Sequence, residues 1–401
     1  MGALTSTEQD AVDRAAAEPM LDQVLAWSAV NSGSRNLDGL ARMASLLGDA
    51  FSALPGSAVL VDPAPVDAVD TAGKKIDIAH GRNLHLKVRP DAPVQLLFTG
   101  HMDTVFGADH AFQETRWLDE GVINGPGTAD MKGGIAVMLA ALKSLEANGA
   151  TNLGYEVIIN SDEEVGSLGS APLIAEAARG KNAALTYEPS ALPDGTLAGA
   201  RPGSGNFAIT IHGRSAHAGR NPEDGRNAVL AASDLALRFE AMRKADLSVN
   251  PAKIDGGSPS NVVPDLAILR VNLRPATPEL EAEAKDMIAQ AIASVAAERD
   301  VQIDIHGGFA RPPKPMSPAA EALFGLVKQA GSDLGQAIGW QSTGGVCDGN
   351  NIAACGVPVV DTMGVRGGKI HSMEEFLIVE SLKERAALSA LTILRLAGGA
   401  A

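Results

Sequence analysis

Val94-Gln95-Leu96-Leu97-Phe98-Thr99-Gly100-His101-Met102-Asp103-Thr104-Val105 is an apolar run that ends abruptly in a polar cluster. Val94 to Phe98 reads as a buried strand, with His101 and Asp103 just past its carboxyl end. The arrangement recurs along the chain. Ser161-Asp162-Glu163-Glu164 follows the strand pattern Glu156 to Asn160, Glu188-Pro189 ends the run from Ala183 to Tyr187, and His371-Ser372 comes shortly after Val357 to Asp361. Asp130, in Gly127-Thr128-Ala129-Asp130-Met131-Lys132-Gly133-Gly134, opens a helix that places Ile135, Met138, Leu139, Leu142 and Leu145 on one face. Further helical patterns cover Asp22 to Val30, Leu37 to Leu54 and Ala171 to Arg179. Strand and helix in alternation predict an α/β fold with a doubly wound, mostly parallel sheet. Ligands of such sheets bind beyond the carboxyl ends of the strands, so four of these five clusters are expected to share one crevice.

The pattern changes near Arg201. Asn206 to His212 reads as a strand, Gly225 to Arg243 as a helix, Ala252 to Gly256 and Leu266 to Leu273 as strands, Pro278 to Arg299 as a helix and Val301 to Ile305 as a strand. This β-α-β-β-α-β order predicts a two-layer, ferredoxin-like α+β unit. Arg311-Pro312-Pro313-Lys314-Pro315 then reads as a stiff connector. A helix from Pro318 to Asp333 and a last one from Ser381 to Ala397 return to the first pattern. Residues 201–311 are therefore expected to form a domain inserted into a catalytic domain built from 1–200 and 312–401.

With 401 residues the chain exceeds one ordinary core, which agrees with two domains. The net charge of −15 argues against nucleic acid or anionic membrane as partners, because both demand a basic surface. Cys347 and Cys355 lack the partners of a thiolate metal site and read as two small buried hydrophobes. No apolar run reaches membrane-spanning length, and Met1 to Met20 has no basic stretch followed by an apolar one, so a cytoplasmic location is expected.

His101, Asp103, Asp130, Glu164, Glu188 and His371 combine imidazole and carboxylate without thiolate. That donor set suits zinc, and also cobalt or manganese. Two histidines and four carboxylates can serve two ions that share one carboxylate. Glu163 and Glu164 are adjacent and cannot both bind one metal in the same way, so one is free to accept a proton. Each element alone also fits a solvated turn or a helix cap; their joint placement points to a metal site.

GHMDTV (100–105), GPGTADMKGG (125–134), NSDEEVGSLGS (160–170), YEPS (187–190) and IHS (370–372), in this order, resemble the motifs of the co-catalytic zinc metallopeptidase and deacylase family. That family includes glutamate carboxypeptidases of the carboxypeptidase G type, acetylornithine deacetylase, succinyl-diaminopimelate desuccinylase and several peptidases. The resemblance implies that His101 and Glu188 bind one zinc, Glu164 and His371 the other, and that Asp130 bridges them. It implies that Asp103 orients His101 through the second ring nitrogen and that Glu163 is the general base, then the acid. The inserted unit is similar to the family's lid and dimerisation domain. Its Gly213-Arg214-Ser215-Ala216-His217-Ala218-Gly219 matches a motif whose histidine, here His217, reaches the partner subunit's site. Asn261 and Arg274 match substrate-binding positions, and Arg311 matches a further arginine of the glutamate carboxypeptidases. Arg366 departs from the carboxypeptidase G pattern as an added cation expected near the metal.

These matches imply a hydrolase that releases a carboxy-terminal amino acid, with glutamate the first candidate, from a peptidyl or N-acyl substrate. The alternatives are an N-acyl amino-acid deacylase of the acetylornithine deacetylase type and a non-enzymatic zinc-binding homologue. The intact Glu163 and ligand set argue against the latter. A dinucleotide-binding enzyme is excluded because no GxGxxG turn follows the early strands.

Overall fold

Three adjacent parallel strands, Leu153–Asn160, Val94–His101 and Ala183–Thr186, form the middle of a six-stranded sheet. Val359–Val360 extends it in parallel beyond Ala183–Thr186. Asn83–Val88 and then Ser57–Val61 close the other edge antiparallel, two strands that hydropathy alone had not singled out. The computed structural model describes residues 4–149 and 151–399.

Alternate side chains of the central strands feed two cores, as a pleated strand requires. Leu96, Phe98, Val157, Ile159 and Leu185 pack into the larger cluster, under the helices Gly133–Ala147 and Glu380–Ala397. Leu97, Ile158 and Ala184 point the opposite way, against Ile174 of the helix Ala171–Ala178 and Ile352 of the helix Asp348–Ala354. The helix Gly133–Ala147 is buried on all sides over most of its length, not on one face, because Ser6–Ala17, Met20–Ser28 and Glu380–Ala397 surround it.

Ser204–His212, Leu247–Gly256, Leu266–Pro275 and Gln302–Arg311 form a second, wholly antiparallel sheet. Its spatial order is second strand, third, first, fourth, the ferredoxin-like order. The helices Ala228–Glu240 and Pro278–Arg299 cover one face and close a separate core around Ile209, Leu235, Phe239, Leu269 and Ile288. The opposite face meets the hairpin Asp67–Val69/Lys75–Asp77: Val69 packs on Ala208 and Ile268, and His306 Nε2 lies 2.8 Å from Asp67 Oδ1.

The two chains that join the units run side by side. Arg201 and Lys314 bridge antiparallel, and both cations pair with the buried Asp361, at 2.8 and 2.9 Å. The last strand of the inserted unit runs on to Arg311, so the arginine expected in a stiff connector is held in a sheet instead. Cys347 is buried as expected. Cys355 is exposed, because it sits just past the short helix Asp348–Ala354. Among the described residues no helix is long and apolar enough to cross a membrane.

Candidate metal centre

Parallel register sets the first three contributions to the site. His101 pairs with Asn160, so the end of one strand lies beside the start of the Ser161–Glu164 turn; Thr99 pairs with Thr186, which sends Glu188 to the same end of the sheet. Asp130 sits in an irregular turn, Thr128–Lys132, with extended backbone at Asp130 and a left-handed Gly127 (φ +69°). Gly134 permits this turn to close on the sheet, since a Cβ there would collide with the carbonyl oxygen of Tyr187. His371 comes from a small antiparallel sheet, in the loop between Gly367–Gly368 and Phe376–Ile378. Its own φ is +62°, a left-handed conformation that histidine adopts more readily than most side chains.

Asp130 divides its two oxygens between the two histidines. Oδ1 lies 3.1 Å from His101 Nε2, and Oδ2 lies 3.3 Å from His371 Nε2. Each histidine has a second carboxylate of its own: Glu188 Oε2 at 3.7 Å from His101 Nε2, and Glu164 Oε2 at 3.0 Å from His371 Nε2. Donor atoms of His101, Asp130 and Glu164, and likewise of His101, Glu163 and Glu188, lie within 4.8 Å of one another. A borderline cation, with its imidazole and oxygen preference, fits this donor set.

Electrostatics report the same crowding. Burial raises Glu164 to about 7, with Asp130 adding to the effect. Burial also pushes Glu188 up, and Glu163 well up. Burial opposes the charge of His101, yet Glu188 and the other carboxylates hold its pKa well above the usual value. Hydrogen bonding to Asp130 and then Glu164 raises His371 to about 11. Asp130 moves the other way: burial favours its proton, but the hydrogen bonds from both histidines outweigh that and hold it low. Protons here stand where a cation would be expected to sit.

Asp103 meets His101 and also reaches the turn that carries the two glutamates. The nearer acceptor for His101 Nδ1 is the backbone carbonyl of Asp103, at 3.0 Å; its carboxylate Oδ1 is 3.4 Å away. The carboxylate also accepts the backbone N–H groups of Glu163 (3.1 Å) and Glu164 (3.2 Å) and the Ser34 hydroxyl (2.7 Å). It therefore fixes the turn that carries both glutamates. Asp103→Asn is expected to weaken metal binding by ~10–100-fold, as is usual when the groups behind metal ligands change. Titration of the metal-free variant with zinc, beside the parent chain, measures this.

Glu375 and Asp348 were not anticipated from the sequence. The Glu375 carboxylate is buried and accepts the N–H groups of Gly127, Ala129 and Asp130 at 3.1, 3.0 and 3.1 Å, which braces the Asp130 turn. It lies four residues after His371, so one loop supplies both a donor and a brace. Asp348 is buried and receives Asn160 Nδ2 at 2.8 Å and Arg311 Nη1 at 2.9 Å.

A cavity of about 520 Å³ opens over the cluster, lined by Asp130, Glu163, Glu164, Glu188 and His371 on one side and by Ser190, Pro193, Arg201, Cys347, Thr362 and Phe376 among others. The four expected substrate residues fare unequally. Arg274 is half-buried and does not line the cavity; it donates to the carbonyl of Gly344 at 2.9 Å, between the lining residues Thr343 and Gly345. Asn261 is exposed on a loop of the inserted unit, in contact with His217's segment through Ala218 N–H. His217 is itself exposed, its Nδ1 accepting from Gly219 and Arg220, and neither it nor Asn261 lines the cavity. Arg366 does not face the metal cluster. Its guanidinium is taken by Glu384, at 2.9 and 3.0 Å, and by the carbonyl of Pro193, and it lines a separate small cavity with Asp194 and Arg385. Arg311 is committed to Glu163 and Asp348.

Residues 97–395 match the model of peptidase family M20/M25/M40. The chain belongs to this family. It is 32% identical over 341 residues to carboxypeptidase G2 of Pseudomonas sp. (strain RS-16), which covers 82% of this chain and 80% of that protein. It is 28% identical over 328 residues to succinyl-diaminopimelate desuccinylase of Maricaulis maris (strain MCS10), 76% of this chain and 82% of the relative. The fold matches that of aminopeptidase PepT from Bacillus cereus ATCC 10987 with a TM-score of 0.71 at 24% identity, over 96% of this chain and 99% of that one. The protein is accordingly a hydrolase of the metallopeptidase class, a family that implies a divalent metal, and the expected fold, a mostly parallel α/β sheet with an inserted α+β unit, holds.

Proposed function

We propose that the protein is a di-zinc hydrolase that cleaves an amide bond and releases a carboxy-terminal amino acid, glutamate first among the candidates, from a peptidyl or N-acyl substrate. One observation carries this reading: Asp130 gives one oxygen to each of two histidines, and each histidine has a further carboxylate. His101 and Glu188 would hold one zinc and His371 and Glu164 the other, with Asp130 placed between the two histidines to serve both. Bound there, the ions supply Lewis acidity, which makes water easier to deprotonate and polarises a carbonyl. Glu163 accepts a proton from the attacking water and returns it to the amide nitrogen as the C–N bond breaks. Arg274, whose partner Gly344 adjoins the cavity lining, receives the substrate carboxylate in this reading through the planar fork that suits it.

Likeness to carboxypeptidase G2 supports the carboxypeptidase reading. Likeness to a desuccinylase supports a second one, removal of an acyl group from an amino acid. Parallel assays of N-acetyl, N-succinyl and N-peptidyl glutamate with zinc-loaded protein separate them. Release of glutamate is expected to be fastest from the peptidyl substrate; cleavage of the simple acyl substrates alone rejects the carboxypeptidase.

Residues 201–311 act in this reading as a lid and a dimerisation unit. His217 and Asn261 are exposed on adjoining segments and do not line the cavity; in this reading a second copy of the chain supplies His217 to stabilise the developing oxyanion. Exposed Leu230 and Leu237 on one helix of that unit offer an apolar face for the pairing. His217→Ala and Glu163→Ala proteins should each be nearly inactive alone. Mixed and allowed to exchange, they should recover about a quarter of the parent activity, since random pairing leaves one intact site in each mixed dimer. No recovery, with exchange shown by light scattering of tagged copies, rejects action across the dimer.

A further inference from the structure

Arg311 was expected to hold a substrate carboxylate, but its geometry assigns it elsewhere. Its side chain is only 4% exposed, and it is not among the residues lining the cavity above the metal cluster. Both terminal nitrogens are occupied. Nη2 donates to Glu163 Oε1 at 2.7 Å, to the backbone carbonyl of Glu163 at 2.9 Å and to Ser167 Oγ at 3.0 Å. Nη1 donates to Asp348 Oδ1 at 2.9 Å and to Asn351 Oδ1 at 3.3 Å. Asp348 is fixed in turn by the Ser167 hydroxyl at 2.5 Å and by Asn160 Nδ2 at 2.8 Å.

We propose that Arg311, backed by Asp348, is a positioning residue that holds the Glu163 carboxylate in place over the reacting water, and is not a substrate anchor. The inference rests on the proton-transfer role given to Glu163 above. Three physical points support it. A guanidinium that grips both the side chain and the main-chain oxygen of one residue fixes its rotamer and its backbone together, which a surface ion pair does not. Glu163 offers a carboxylate oxygen within 4.8 Å of donor atoms of His101 and Glu188, so without a tether it would be drawn into the metal cluster as another ligand. Docking of a substrate carboxylate on Arg311 would have to displace Glu163 from the guanidinium and leave its buried charge unpaired.

Arg311 also closes the last strand of the inserted unit, opposite Ser204. The base is thus held by a residue at the join between the two units, whereas His101, Glu164 and Glu188 all come from the ends of the central sheet.

The test compares the parent chain with Arg311→Met, Arg311→Lys and Asp348→Asn on two substrates, an N-acyl glutamate with a free α-carboxylate and its α-carboxamide. Loss of positioning should lower kcat by ~10²-fold, the usual cost of misplacing a reacting group by about 1 Å, with KM within about threefold of the parent. The fall should be the same on both substrates, zinc content by metal analysis should be unchanged, and Arg311→Lys should recover part of kcat. A rise in KM with kcat preserved, seen on the carboxylate and absent on the carboxamide, overturns the assignment and restores the anchor. Should Arg311→Met not fold, Arg311→Lys and Asp348→Asn carry the same comparison, since each retains one of the two ion-pair partners. A parent chain that turns over neither substrate overturns the reading of the reaction itself; a working parent with variants that change KM alone overturns only the role of Arg311.

Discussion

Glu163→Ala should lower kcat by ~10²–10⁴-fold, the range that a positioned acid–base group contributes. Metal content and thermal unfolding should stay close to those of the parent. Five other side chains supply the proposed ligands, and none of their contacts runs through Glu163. The fold should tolerate the loss because burial disfavours the Glu163 charge, and the carboxylate removed is one the site holds at a cost. Arg311 keeps Asp348 as a partner after the change, so no buried cation is stranded. Glu163→Gln is the stricter comparison. It keeps an oxygen for the Arg311 hydrogen bond but cannot take a proton, and its kcat should fall as far as that of the alanine variant. Steady-state kinetics beside metal analysis decide the matter. Full turnover by a zinc-loaded Glu163→Gln protein would remove Glu163 from the reaction.

Three residues of the candidate metal cluster were legible because they sit at one kind of place. Strand ends are marked by hydropathy, so His101, Glu164 and Glu188 could be put together without knowing the fold's details, and parallel register then brought them to one edge of the sheet. The inserted unit was legible for a related reason: its strand and helix patterns follow one another in the β-α-β-β-α-β order that the structure shows. What lay beyond reading were partnerships between distant side chains. Arg311 and Glu163 are 148 positions apart, and no periodicity links an arginine in a proline-rich stretch to a glutamate at a strand end. Arg366 lies close in sequence to His371, yet its guanidinium turns to Glu384, one helical turn into the last helix. Glu375 was hidden because its partners are backbone N–H groups, which leave no mark in residue identity. His217 marks another boundary: a motif can name a residue, but its absence from the chain's own cavity appears only once the loop is placed.

Removing the metal should abolish turnover and also reshape the protein's response to pH. Chelation should cut kcat by ~10³-fold or more, because the several kcal/mol that Lewis acidity contributes convert to that factor, and zinc or cobalt should restore it. In the metal-free chain the folded state then holds crowded carboxylates. Glu164, raised from 4.5 to about 7, keeps its proton in the folded state over a range where the unfolded chain has lost it. Stability therefore falls as pH rises through that window. His371 acts in the same direction at higher pH: raised from 6.5 to about 11 by Asp130 and Glu164, it stabilises fully below its unfolded value and loses that contribution as pH rises toward the folded one. Asp130, held low, is ionised in both states across this range and does not oppose the trend. The melting temperature of the metal-free protein should thus decline from about pH 5 to about pH 8. Zinc reverses the sense of the dependence, because it binds ionised carboxylates and neutral imidazoles, and its affinity grows as protons leave. The gap between the two melting curves should widen with pH. Parallel curves would mean that the carboxylates around Asp130 do not bind the metal that drives the reaction.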